Sequence, residues 1–150
     1  MRLKIPPPIW LTLYGIFVWG LSELIPSARI DIPVRGLISG CVFLSAFAFL
    51  APATRGFKKA ETTINPIKPQ ETSQLVTTGI YGRTRNPMYV GLTIILLAWV
   101  IWTSNATGVL ALPLFMVTLT HFQIIPEEEI LTEKFGEDYK DYSARVRRWL

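Results

Sequence analysis

Four long apolar runs leave this chain few folds to choose from: residues 9–25, 34–51, 88–102 and 108–125. A helix that crosses a bilayer needs about 20 predominantly apolar residues, with about 17 as the practical minimum. The first, second and fourth runs meet or approach that length. The third reaches it only by borrowing residues 103–106 at its far end. Half of the 150 residues are apolar, and these runs gather most of them. The expected fold is all-α and integral to the membrane: about four transmembrane helices in one domain, residues 1–150, without internal repeats or low-complexity segments.

Charge placement gives the bundle an orientation. If the runs cross in alternation, thirteen of the fifteen basic residues fall on one face, and only Arg29 and Arg35 fall on the other. The positive-inside rule then puts both termini and the long central segment, residues 52–87, in the cytoplasm. For a bacterial chain the membrane would be the plasma (inner) membrane. The basic residues read as topology markers, so no nucleic-acid partner is expected. A secretory leader is the competing reading of the first 28 residues, but the apolar run is longer than the usual h-region of about 7–15 residues. Cys41 stands alone within an apolar run, which leaves no disulfide framework or cysteine metal site. No metal is expected.

The central segment is too long to be a passive connector, because long ordered loops in compact proteins are usually functional. Its prolines at 66 and 69 argue against a helix over 62–69. It is expected to cap the cytoplasmic helix ends. It finishes in "LVTTGIYGRTRNPMYVG", residues 75–91, where three glycines, two arginines and a proline gather at the start of the third run. Glycine and proline build a tight, rigid turn. After Pro126, Leu131, Phe135, Tyr139, Tyr142, Val146 and Trp149 recur at helical spacing. Acids at 127–129 and arginines near the end suit the helix dipole. This predicts one C-terminal amphipathic helix on the cytoplasmic surface, with Trp149 and the arginines in the headgroup layer.

A short turn joins the third and fourth runs, so they form an antiparallel hairpin whose open ends return to one face. Arg85, Asn86 and Tyr89 should therefore meet Glu127 and Glu128, about 40 residues away in sequence. Such a pocket suits a zwitterionic, partly aromatic molecule beside a lipid-soluble co-substrate. S-adenosyl-L-methionine (SAM) is one such molecule: its carboxylate suits an arginine, and its ammonium or ribose suits a carboxylate. Methyl transfer to a good nucleophile needs mainly alignment and desolvation. The near absence of histidine and cysteine fits that demand.

Residues 75–91, with Asn65, Pro66, Lys68 and Pro69 before them, resemble the signature of the isoprenylcysteine carboxyl methyltransferase and phospholipid methyltransferase superfamily. The tail "HFQIIPEEEILTEKFGEDYKDYSARVRRW", residues 121–149, resembles the same group, through a glutamate pair, a following leucine, Phe-Gly, two spaced tyrosines and a Val-Arg-Trp ending. The resemblance covers about the last ninety residues. It implies a membrane methyltransferase that binds SAM on its cytoplasmic side through residues 53–150. The implied cofactor-binding residues are Gly79, Tyr81, Arg85, Asn86, Pro87, Tyr89, His121, Glu127 and Glu128, with Arg85, Glu128 and Tyr89 nearest the chemistry. Asn86 stands where prenylcysteine enzymes carry histidine. The expected acceptor is a lipid or hydrophobic small molecule entering from the membrane lipids.

Two other classes are open. A small four-helix transporter would need an ionisable coupling group in mid-membrane, and Glu23 is the sole candidate. A non-catalytic protein could retain the methyltransferase fold for partner binding. Taken singly, the glutamates fit a helix N-terminus, the arginines fit topology, and His121 fits a packed helix position. Their joint placement favours the enzyme. The methyl acceptor and the oligomeric state are not encoded in any motif.

Overall fold

The computed structural model describes residues 5–60 and 73–150. Residues 62–69 of the expected capping segment, with Asn65, Pro66, Lys68 and Pro69, lie outside the described residues, as do Arg2 and Lys4. The described residues are helical, with one isolated bridge between Arg29 and Asn105. The helices are α1 (Pro7–Leu24), α2 (Arg35–Ser45), α3 (Phe47–Lys59), α4 (Pro87–Thr103), α5 (Ala111–Leu119), α6 (Ile125–Phe135) and α7 (Glu137–Arg145).

Two helical stretches are long and apolar enough to cross a membrane, Arg35–Lys59 and Ala106–Phe135. Only 17% of the apolar window of the first is buried, and 33% of that of the second, so neither is the hidden core helix of a water-soluble domain. Ile9, Leu13, Ile16, Phe17 and Trp19 of α1 face outward, as do Leu37, Phe43, Leu44 and Phe47, and Leu110, Leu114 and Val117. Apolar surface on that scale belongs against lipid.

α4 is the hub, packed by α1, α2, α3 and α5. Lipid tails are as apolar as leucine, so helices in a bilayer associate through close packing and interhelical hydrogen bonds. Small residues make the close approaches here. A Cβ on Gly91 would lie 2.6 Å from Leu50 Cγ, and one on Gly108 would lie 3.2 Å from Val18 Cγ1. Ala46, Ala98 and Ala111 are buried at the same crossings. Tyr14 Oη meets Thr118 Oγ1 at 2.7 Å, Ser39 Oγ donates to the Ala98 carbonyl at 2.8 Å, and Trp99 Nε1 donates to the Gly15 carbonyl at 3.0 Å. Val18, Leu96, Phe115, Leu119 and Ile124 fill the centre.

Several expected boundaries move. The second run continues to Lys59 through Pro52, because Ala46 keeps helical angles between α2 and α3 and joins them almost without a break. The start of the expected capping segment is therefore helix. Of residues 103–106, α4 takes only Thr103: it stops there because Ser104 adopts a left-handed φ of 51°. Asn105 then begins a new turn. Its Oδ1 accepts from Thr107 N at 3.1 Å and Thr107 Oγ1 at 2.6 Å, and its Nδ2 donates to the Ile25 carbonyl at 2.9 Å. Ile30 N donates to the Ser104 carbonyl at 2.8 Å, so the two turns at this end are tied together. Glu23 pairs with Arg29 at 3.3 Å, both side chains 55% exposed, at the end of α1. It is not a mid-membrane coupling group.

The expected single C-terminal helix is two. Gly136 takes φ +56° between α6 and α7, a conformation cheap only for glycine, and bends the chain there. The helix also ends at Arg145, so residues 146–150 run back across the bundle. Trp149 packs against the central cluster instead of reaching headgroups. The α5–α6 passage is continuous through a π turn, Thr120–Ile124. Pro126 has no N–H to give the Phe122 carbonyl, and the widened turn just before it absorbs that missing bond.

Candidate active site

The site is built where α4 starts and α5–α6 exits. Pro87 occupies the first position of α4, where a missing N–H costs nothing. This rigid start aims Arg85 and Asn86 on one side and Tyr89 one turn inward. The opposing helix carries Glu127 and Glu128 in the first turn of α6. The expected juxtaposition is present. Arg85 Nη2 lies 3.2 Å from Glu128 Oε1, with side chains 13% and 16% exposed. Tyr89 Oη donates to Glu127 Oε1 at 2.5 Å.

A third element closes the cluster. Arg148 chelates Glu128, Nε to Oε1 at 3.0 Å and Nη2 to Oε2 at 2.7 Å. This fork-to-fork geometry is the strongest arrangement an arginine and a carboxylate can make. The pairing with Glu128 holds the Arg148 guanidinium further above its already high range. Backbone of the same tail meets the start of α4: Arg85 N donates to the Arg147 carbonyl at 2.9 Å and Asn86 Nδ2 to the Arg148 carbonyl at 2.9 Å. Thr84 Oγ1 donates to that carbonyl at 3.2 Å.

Tyrosines wall the cluster. Tyr81 is buried and meets Phe57 edge-to-face, ring centroids 5.3 Å apart. Burial pushes its hydroxyl up, and Tyr142 and Glu127 nearby push the same way. Tyr142 Oη donates to the Tyr81 carbonyl at 2.8 Å. Tyr139 is pushed up to about 12, chiefly by burial and then by Glu128, with Arg85 opposing. Arg85 Nε is buried without an acceptor among the described residues. A buried N–H left without an acceptor costs about 1–3 kcal/mol.

Of the residues expected at the site, Arg85, Asn86, Tyr89, Glu127 and Glu128 come together, with Tyr81 and Pro87 packed beside them. Gly79, at φ +66°, opens the 3₁₀ turn Gly79–Gly82 that carries Tyr81 and is itself exposed. His121 is exposed in the π turn, and no hydrogen bond joins it to the cluster among the described residues. Sequence reasoning missed Arg148, which it gave to the helix dipole and the headgroups. The sign was there in the Val-Arg-Trp ending, whose tryptophan has a core to fill. Among the described residues no group of histidine, cysteine and carboxylate side chains could hold a metal ion.

An uncharacterized protein of Haemophilus influenzae is 44% identical over 63 residues, 42% of this chain and the whole of that protein. The protein-S-isoprenylcysteine O-methyltransferases of Mus musculus and Rattus norvegicus are each 36% identical over 83 residues, 51% of this chain. That match covers only 27% of the length of either rodent enzyme. No solved structure matches. The family model for phospholipid methyltransferases matches residues 34–138, which takes in α2 through α6 and the start of α7. With most of its length and both halves of the charged cluster inside that match, this helical membrane protein belongs to the phospholipid methyltransferase family.

Proposed function

We propose that the chain is a SAM-dependent methyltransferase that acts in the membrane on a lipid or hydrophobic small molecule. The observation that carries this reading is the half-buried Arg85–Glu128–Arg148 cluster at the meeting of two apolar helices. It joins fixed charge for a polar ligand to an apolar approach for a greasy one. Four spans, formed by α1, α2–α3, α4 and α5–α6, would put both termini and the cluster on the cytoplasmic side, in line with the basic residues.

The residues fit the cofactor. The unpartnered Arg85 Nε suits the carboxylate of its methionine part, and Tyr81 and Tyr89 offer aromatic surface. Glu127 keeps one oxygen beyond its bond to Tyr89 for a ribose hydroxyl or ammonium. When bound, SAM supplies an electrophilic methyl on a sulfonium and leaves as a neutral thioether. Nothing in that exchange calls for a strong acid, so a cluster of fixed charge and tyrosine hydroxyls, nearly without histidine, suffices. Catalysis then rests on orientation and on exclusion of water, which oriented intramolecular reactions show can be worth about 7–11 kcal/mol.

Calorimetric titration of the detergent-purified chain with SAM, and with its demethylated product, tests the reading. Saturable heat is expected, and its absence with both ligands would end it. Glu128→Ala should weaken binding by about tenfold or more, since a hydrogen bond to a charged group contributes about 1.5–3 kcal/mol. Unchanged affinity would remove Glu128 from the site.

A further inference from the structure

The last five residues do more than end the chain. Residues 146–150 leave the helix and lie across the start of α4, where backbone groups have no partners within the helix. Three hydrogen bonds fasten them there, from Arg85 N, Asn86 Nδ2 and Thr84 Oγ1 to the carbonyls of Arg147 and Arg148. Trp149 anchors the far end in the central cluster. From this fixed backbone the Arg148 guanidinium reaches Glu128 with both nitrogens of its fork.

The pairing within the cluster points outward. Two guanidinium groups share the one carboxylate of Glu128, and the two contacts of Arg148 occupy both of its oxygens. Arg85 touches Glu128 through Nη2 alone, and its Nε stays buried without an acceptor. Glu128 is thus held by the tail, and Arg85 is held by Glu128 with its Nε–H unpaired. An anionic group arriving at Arg85 would satisfy that donor.

We propose that residues 146–150 form a strap over the site and that Arg148 is a positioning residue. It acts through Glu128 to hold Arg85 ready for a ligand carboxylate. The ligand half of this inference rests on the cofactor reading above; the strap half does not. A positioning role differs from a merely structural one in what its loss selects against. Loss of Arg148 should harm ligands that carry the carboxylate and spare those that lack it.

The test uses the full chain in detergent, as wild type, Arg148→Gln, Arg148→Lys, Glu128→Gln and the Arg148→Gln/Glu128→Gln pair. Hydrogen exchange at the Arg85 amide reads the strap. It should speed up about tenfold or more in Arg148→Gln, the factor for about 1.4 kcal/mol of lost protection. Calorimetry with SAM and with its decarboxylated analogue reads positioning. Arg148→Gln should bind SAM about tenfold more weakly or worse and bind the analogue as wild type does, on the same scale. The double variant should be no weaker than Glu128→Gln alone, because Arg148 works only through that residue. Should Arg148→Gln fail to fold, Arg148→Lys, which keeps the charge but cannot chelate, should show the same pattern at smaller size. Equal loss of both ligands, unchanged SAM binding, or additive losses in the double variant would overturn positioning. Unchanged Arg85 exchange would overturn the strap. If wild type binds neither ligand, the cofactor reading and the positioning role fall together, and the exchange data still decide the strap.

Discussion

At the scale of single residues, the site is a set of polar groups that each depend on a neighbour for their state. Tyr139 shows this most plainly. Its hydroxyl titrates at about 12 in the fold against 10.0 for an ordinary tyrosine. A group whose folded value is raised contributes stability that is complete below its unfolded value and lost as pH climbs toward the folded one. Stability should therefore hold to about pH 10 and fall from there toward about 12. Tyr81 and Tyr142 are raised in the same direction and add to the fall. Tyr139→Phe should lessen that alkaline loss, read as a smaller drop in unfolding midpoint between pH 9 and 11 by near-ultraviolet circular dichroism in detergent. Residue identity alone reached Arg85, Tyr89 and both glutamates, because acids and bases at opposite ends of a hairpin must meet. It could not reach Arg148. The pair with Glu128 spans 20 residues and a bend, so it leaves no periodic trace in the sequence.

At the scale of elements, boundaries followed backbone chemistry that hydropathy does not record. The apolar spacing runs on across Gly136, and a side-chain pattern therefore predicts one helix where a positive φ makes two. The second run shows the opposite error: its apolar residues end at 51, yet the helix passes on through Pro52 to Lys59. Gly91 is the element-scale feature with the sharpest consequence. It stands in the glycine- and proline-rich signature, and what requires it is the approach of Leu50 and the Ala46 carbonyl across the α2–α3 junction. Gly91→Val should cost about 1–3 kcal/mol, the usual range for overpacking a tight contact. Gly40→Val, whose added Cβ meets nothing within 4 Å, should change stability far less. Thermal unfolding of both variants in the same detergent checks the contrast, and equal losses would remove the packing argument.

At the scale of the whole molecule, the four apolar runs of the sequence became four helical stretches, three of them packed around α4, and the short turn over 104–107 made the hairpin that brings the two halves of the cluster together. The sidedness proposed above can be measured directly. With Cys41 replaced by serine, cysteines at positions 83 and 133 should label from one side of oriented vesicles, and a cysteine at 106 from the other. Labelling of 83 and 133 from opposite sides would separate the two halves of the cluster and leave no common cavity. The length of α4 adds one more consequence. Its 17 residues reach about 25 Å at 1.5 Å per residue, short of a hydrocarbon layer about 30 Å thick. A span too short for its bilayer draws the surrounding lipid inward. With α4 crossing as proposed, the guanidinium groups at its entrance would sit at the depth where acyl chains begin, and the proposed water-borne donor and oil-borne acceptor could meet there without either leaving its own solvent.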